Sequence, residues 1–334
     1  MSDLVTCGET MALLCAPRVG RLRDMTSLDL GIAGAESNVA IGMVRLGRSA
    51  SWIGRVGDDE LGALVVATLR REGVDVAACV LDDSAPTALM FKERRVGDLV
   101  RVRYYRSGYA GSRLCPADVD ERLVAAARVL HTTGITPALS DSARAAVDHA
   151  IAIARSAGVL VAFDVNYRAA LWTPEEAAPV LRAMASRADV VFAGEEELAL
   201  IDPDAPTGRD DTATGLATGE TGTRADIAAA LRVSDDARRT VVVKRGAAGA
   251  GSVGPGGILD EPAARAIALD PVGAGDAFVA GYLTALLDGE DERGRLALGC
   301  RAGAFAVSVV GDYEGLPSRA DLALYDRGAG TTIR

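Results

Sequence analysis

DPVGAGDAFVAG, Asp270 to Gly281, reads as the meeting of three elements: a strand-like run from Ala266 to Leu269 that ends in Asp270, a turn over Gly273, Ala274 and Gly275, and an apolar helix opened by Asp276. A strand that passes into a helix through a glycine turn is the unit from which parallel α/β sheets are built. Glycines let backbone N–H groups approach an anion closely, and the free amides and dipole of a helix's first turn favour negative charge there. The segment therefore reads as an anion cradle with a carboxylate beside it. A carboxylate repels phosphate, but it suits a base that takes the proton from a hydroxyl attacking phosphorus. A helix cap on a tight turn accounts for Asp276 and the glycines equally well, and the segment alone leaves the two readings level.

The same alternation continues along the chain. ASWIGRVG (50–57), RVLHTTG (128–134), VLVAFDVN (159–166), ADVVFAG (188–194) and TVVVKRG (240–246) read as strands. Residues 61–73, 140–158, 276–289 and 293–311 have helical patterns, with Ser140 and Asp141 at the start of one and Gly158 at its end. The pattern predicts an α/β protein with a mainly parallel central sheet covered by helices. Two stretches depart from it. Ala85 to Gly111 reads as an antiparallel hairpin turning near Val96, Gly97 and Asp98, and the segment up to Ala33 and Gly34 is expected to pair with it. Residues 202–226 lack aromatics, have Leu216 as their sole large aliphatic and are expected to form a mobile surface excursion. The expected organisation is one domain over 1–334, with lid strands from about 11–33 and 86–111.

Composition narrows the function. The chain has 334 residues, 49% hydrophobic and 25% charged, enough to bury a core. Its 46 acidic and 36 basic side chains give a net charge of −10, which argues against a nucleic-acid surface. The start, MSDLVTCGETMALL, has no basic region ahead of its apolar stretch, and nowhere do 18 apolar residues run together, so a cytoplasmic protein without membrane contact is expected. Cys7, Cys15, Cys79, Cys115 and Cys300 show no C-x-x-C spacing, and His131 and His149 lack the partners of a metal site or a triad. Both histidines are expected to be structural. Lysine is confined to Lys92 and Lys244.

In order, GAESNVAIGMVRLG (34–47), GRVGDDELG (54–62), DVNYR (164–168), VVVKRGAAGA (241–250) and DPVGAGD (270–276) resemble the motifs of the ribokinase-like (PfkB) carbohydrate kinases, and the likeness covers nearly the whole chain. It implies a three-layer fold with a small β lid, and ATP and Mg²⁺ as the nucleotide and its ion. Carried over by motif position, Asp276 would be the catalytic base, with Gly273, Ala274 and Gly275 as the anion hole. GITPALS (134–140), DVNYRAALW (164–172), VRYYRSG (102–108) and GDYEG (311–315) resemble the 2-keto-3-deoxygluconate kinases. That likeness implies that Gly34, Tyr104, Arg106, Arg168 and Asp312 touch a sugar acid. The K-x-G-x-x-G turn resembles the family's nucleotide loop, which implies nucleotide contacts from Lys244, Gly246 and Gly249 beside Gly273 and Gly275, with Asn166 near the phosphates.

Three positions depart from the family pattern. Gly194 in GEEEL (194–198) stands where asparagine is usual, leaving Glu197 as a metal candidate acting through water; Met90 replaces a tyrosine common in the subgroup; and Glu36 interrupts a small-residue run, although Asn38 and Ala40 remain.

The residues themselves agree in one respect. On a strand, Val102, Tyr104 and Arg106 face one side while Arg103 and Tyr105 face the other, so Tyr104 and Arg106 can share a ligand. A sugar acid entering a chain of charge −10 needs local cations, and guanidinium groups bind carboxylates bidentately. The expected activity is ATP-dependent phosphorylation of 2-dehydro-3-deoxy-D-gluconate to its 6-phosphate. The alternatives are a fructokinase- or ribokinase-like kinase of a neutral sugar and a catalytically silent sugar-sensing protein. Lid strands that pair between subunits would make the protein a homo-oligomer.

Overall fold

A computed structural model describes residues 2–96, 99–202, 230, 232–233 and 238–326. Gly97 and Asp98 of the expected hairpin turn, and the expected excursion beyond Asp202, lie outside the described residues. The described strands form two sheets. The larger contains β1 (Leu4–Cys7), β4 (Ala50–Gly57), β5 (Cys79–Asp82), β8 (Val129–Thr133), β9 (Leu160–Asp164), β10 (Val190–Gly194), β11 (Thr240–Lys244), β12 (Ala250–Gly254) and β13 (Gly257–Glu261), in the order β13-β12-β11-β10-β9-β8-β1-β4-β5. β11, β10, β9, β8, β1, β4 and β5 are parallel, and β12 and β13 close one edge as antiparallel strands.

Helices cover both faces: α1 (Ala35–Arg45), α2 (Glu60–Arg71), α3 (Glu121–Ala125), α4 (Asp141–Ala157), α5 (Pro174–Ala185), α6 (Glu195–Ile201), α7 (Ala274–Asp288), α8 (Glu292–Ala306) and α9 (Arg319–Tyr325). Strand side chains alternate, so neighbours feed opposite cores. Leu4, Trp52, Phe192 and Val242 pack with α1, α7 and α8, while Val5, Ile53, Val191 and Val241 pack with α4, α5 and α6. Three layers result. α7 is apolar on most of its circumference and is accordingly buried. α4 begins and ends where its sequence signals stand: Ser140 accepts from the Ala143 amide, and Gly158 takes the left-handed conformation at φ 72°.

The smaller sheet contains β2 (Met11–Cys15), β3 (Asp29–Ala33), β6 (Leu89–Val96) and β7 (Leu99–Tyr105), ordered β3-β2-β6-β7. β2 and β6 run parallel and the other pairs antiparallel. Met11, Leu13, Ala33, Ala88 and Met90 form its apolar face, with Val102 and Tyr104 packed against them. Asp59 anchors this sheet: it caps α2 by accepting from the Gly62 amide, and it accepts the Thr87 amide and hydroxyl just before β6.

The strand expected at Ala266–Leu269 is absent. β13, the edge strand, has already turned away, and these residues follow an exposed path on which Ile267 is 77% exposed. An aliphatic run without a partner strand stays irregular; Leu269 and Asp270 instead donate to the Val307 carbonyl. All five cysteines are free. Buried His131 meets Thr6 through Nδ1, and His149 faces Glu121. Among the described residues no helix is long and apolar enough to cross a membrane.

Candidate active site

The carboxyl ends of β9, β10 and β11, the starts of α1 and α7 and the apolar face of the smaller sheet enclose a cleft of about 720 Å³. Open α/β sheets bind ligands at this edge. Of the residues picked out from sequence, Gly34, Tyr104, Arg106, Asn166, Arg168, Glu197, Lys244, Gly246, Gly273, Gly275, Asp276 and Asp312 line it. Ala274 and Gly249 do not.

The turn into α7 sets the chemistry. Gly273 precedes the helix at φ 79°, and a Cβ there would lie 2.2 Å from the Asp312 carbonyl oxygen, so the position admits glycine alone. The first helical bond runs from the Ala277 amide to the Gly273 carbonyl. Before it, the amides of Gly273, Gly275 and Asp276 donate to nothing among the described residues, whereas that of Ala274 reaches the Pro271 carbonyl at 3.4 Å. Of the three residues expected to form the cradle, Gly273 and Gly275 thus leave their amides free, as does Asp276, whereas the Ala274 amide is taken up by the Pro271 carbonyl.

Asp276 does not cap the helix. Its Oδ2 accepts from Asn38 Nδ2 on α1 at 2.8 Å. Burial, and then the charge of Asp312, push its pKa up to about 8 against the pull of Asn38 and Lys244. Burial also lifts Asp312, to about 6, although Lys92 and Asn38 oppose it. As the expected base, Asp276 would have to be ionised, so activity would fall as pH falls through its pKa. The acid limb of kcat/KM is therefore expected near pH 8, far above the ordinary carboxylate range. Asp312→Asn removes one of the charges that raise Asp276 and should move the limb down by about one unit. A pH profile of both proteins checks this, and an unmoved limb would refute the coupling.

Towards the smaller sheet, burial alternates along β7 as its sequence implies, and Arg106 follows the strand with its guanidinium 5.2 Å from the Tyr104 ring centre. Arg106 forms a buried ion pair with Glu9, a cleft residue that the sequence reading passed over. Burial raises the pKa of Glu9 against the pull of Arg106. Arg106 Nε, Glu9 Oε1 and Asn38 Oδ1 are buried without hydrogen-bond partners among the described residues. Unmet buried polar atoms cost about 1–3 kcal/mol each, so two acceptors and one donor left open there suit a ligand rich in hydroxyls, which can both donate and accept. A buried acid in the apolar stretch GETMALL is the signal that could have pointed to Glu9. Glu36, the departure on α1, accepts the Thr133 and Thr136 hydroxyls at 2.8 and 2.7 Å and ties the helix to β8.

On the opposite wall, Lys244 Nζ donates to both oxygens of Asp164 at 2.7 Å. Burial works against its charge, but Asp164 and Glu197 outweigh burial and hold its pKa above the usual value. Asn166 sits at φ 41°, the one non-glycine with positive φ among the described residues, and such strain concentrates at functional sites. Arg168 is exposed, donates to the Tyr167 carbonyl and forms no ion pair within 4 Å among the described residues, although its charge is felt by Asp164. Gly249 faces away: a Cβ there would meet the Glu261 carbonyl oxygen at 2.1 Å, so its need for glycine lies in packing against β13. The Glu197 oxygens accept the Tyr167 and Gly194 amides at 2.7 Å.

The profile described as pfkB family carbohydrate kinase matches residues 1–319. A 2-dehydro-3-deoxygluconokinase of Thermoproteus tenax is 41% identical over 95% of this chain and 92% of its own. A 2-dehydro-3-deoxygalactonokinase of Haloferax volcanii is 34% identical over 93% and 92%. The crystal structure of a 2-dehydro-3-deoxygluconokinase from Thermotoga maritima superposes with a TM-score of 0.85 at 26% identity, covering 97% of this chain and 98% of that one.

Proposed function

Because the chain belongs to the pfkB family of carbohydrate kinases, phosphotransferases with an alcohol group as acceptor, we propose that it transfers the γ-phosphoryl group of ATP to the 6-hydroxyl of 2-dehydro-3-deoxy-D-gluconate. The observation that carries this reading is a half-buried carboxylate, Asp276, in the same cleft as three unpartnered amides at the start of α7. In it, Asp276 takes the proton as the hydroxyl oxygen attacks phosphorus and ADP leaves. The Gly273, Gly275 and Asp276 amides stabilise charge on the transferring group. Lys244 and Asn166 meet the nucleotide phosphates, and closure of the smaller sheet excludes water.

The described residues contain no cluster of three or more metal-ligating side chains, which suits Mg²⁺ brought on the triphosphate and keeping several waters. Glu197 retains a second lone pair on each oxygen to accept from such waters. When bound, the ion neutralises phosphate charge.

A neutral sugar is the second reading, and one observation favours it: Glu9 already balances the charge of Arg106. Arg168 then becomes the cation that decides. Charged hydrogen bonds contribute about 1.5–3 kcal/mol. Arg168→Ala should therefore lower kcat/KM for a sugar acid by roughly 10- to 100-fold and for a neutral sugar by much less. A coupled assay of the parent and Arg168→Ala against 2-keto-3-deoxy acids of both C4 configurations, hexoses and pentoses, with ATP and magnesium, tests the reading. Preferred turnover of fructose or ribose would overturn it.

A further inference from the structure

Lys92 and Asp270 form an ion pair in which both side chains are fully buried, outside the cleft and joining the smaller sheet to the segment that leads into α7. Lys92 lies on β6, two residues beyond Met90 on the same face; Met90 lines the cleft, and Lys92 points deeper. Its Nζ donates to Asp270 Oδ2 and to the Gly311 carbonyl, each at 2.6 Å. Asp270 in turn accepts the Val272 amide on Oδ1 and the Gly311 amide on Oδ2, each at 3.2 Å. One ammonium thus meets the smaller sheet, the turn that leads into Gly273 and the turn that presents Asp312.

From this junction we infer that Lys92 is a positioning residue for phosphoryl transfer, holding the α7 cradle and the Asp312 turn in register with the smaller sheet. The inference rests on the phosphotransfer reading above. Two features separate it from a plain stabilising contact. Buried ion pairs seldom stabilise a fold more than apolar residues of the same volume, so stability alone gives a weak reason for this one. The chain also uses arginine almost everywhere, yet both of its lysines pair with aspartates in or next to the cleft, the fully buried Lys92 with Asp270 and the half-buried Lys244 with Asp164. A compact ammonium fits between a carboxylate and a carbonyl at 2.6 Å, where a planar guanidinium would force them apart.

The test compares Lys92→Met, the double variant Lys92→Met/Asp270→Asn and Asp276→Asn with the parent, by Tm and by single-turnover phosphorylation per folded molecule. Lys92→Met leaves a buried carboxylate unpaired and should lower both Tm and rate. The double variant removes both charges, so Tm should recover while the rate stays at least fivefold down, with KM for ATP and sugar within about threefold of the parent. A rate that returns to within fivefold in the double variant would reduce Lys92 to a structural residue and overturn the inference. Should neither variant fold, Lys92→Arg, which keeps the charge, is read against the same fivefold line. An active Asp276→Asn would instead overturn the base assignment, so the two failures are distinguishable.

Discussion

Asp276→Asn should lower kcat by roughly 10³-fold or more while leaving ATP affinity within a few-fold of the parent, because positioned general bases contribute about 10²–10⁴ and asparagine keeps the shape but cannot take a proton. Asparagine can still accept from Asn38, so the α1–α7 contact survives. Stability should move the opposite way. An unfolded aspartate titrates near 3.9, and this one titrates at about 8 when folded. Between those values the folded state holds a proton that the unfolded state has released, so stability declines as pH rises across the window. Asparagine escapes that decline. The variant should therefore melt roughly 3 °C or more above the parent at pH 8, with the gap closing towards pH 4. Single-turnover kinetics, nucleotide titration and melting at the two pH values check the three parts. Near-parent kcat would end the assignment of Asp276 as base, and an unchanged Tm at pH 8 would show that its charge is not held at a cost to the fold.

Both large features of the molecule can be read locally. Short apolar runs bounded by helical patterns mark β4, β8, β9, β10 and β11, because strand propensity and helix caps act over a few residues. The glycine turn at Gly273 is equally local, since a left-handed residue and free first-turn amides belong to one short segment. What sequence hides is which charge meets which. Asn38 and Asp276 are 238 residues apart, and Lys92 and Asp270 are 178 apart. No spacing rule links them. Arg106 looked like a free cation for the same reason: its neutralising partner Glu9 arrives from β2's approach on another part of the chain. Ala266–Leu269 shows the converse, an aliphatic run whose strand character required a neighbour that the topology does not supply.

Gly273→Ala should cost about 10²- to 10³-fold in kcat, the loss typical of removing one preorganised oxyanion donor, and should also lower stability by about 2 kcal/mol or more. Two effects combine. Alanine disfavours φ 79°, and its Cβ would press on the Asp312 carbonyl oxygen at 2.2 Å. That carbonyl cannot retreat cheaply, because the neighbouring Gly311 is held through its amide and carbonyl by Asp270 and Lys92. The start of α7 must shift instead, carrying the free amides away from the transferring phosphoryl group. Two other glycines separate the effects. At Gly275 the nearest atom to an added Cβ is Lys244 Nζ at 3.6 Å, an ordinary contact, and the residue is helical. Gly275→Ala should therefore keep the parent Tm. Gly249 lies outside the cleft but against the Glu261 carbonyl, so Gly249→Ala should lower Tm with little change in kcat per folded molecule. If Gly273→Ala lost no more kcat per folded molecule than Gly249→Ala, strain at the turn would be a matter of folding alone, and the cradle would have to lie elsewhere in the cleft.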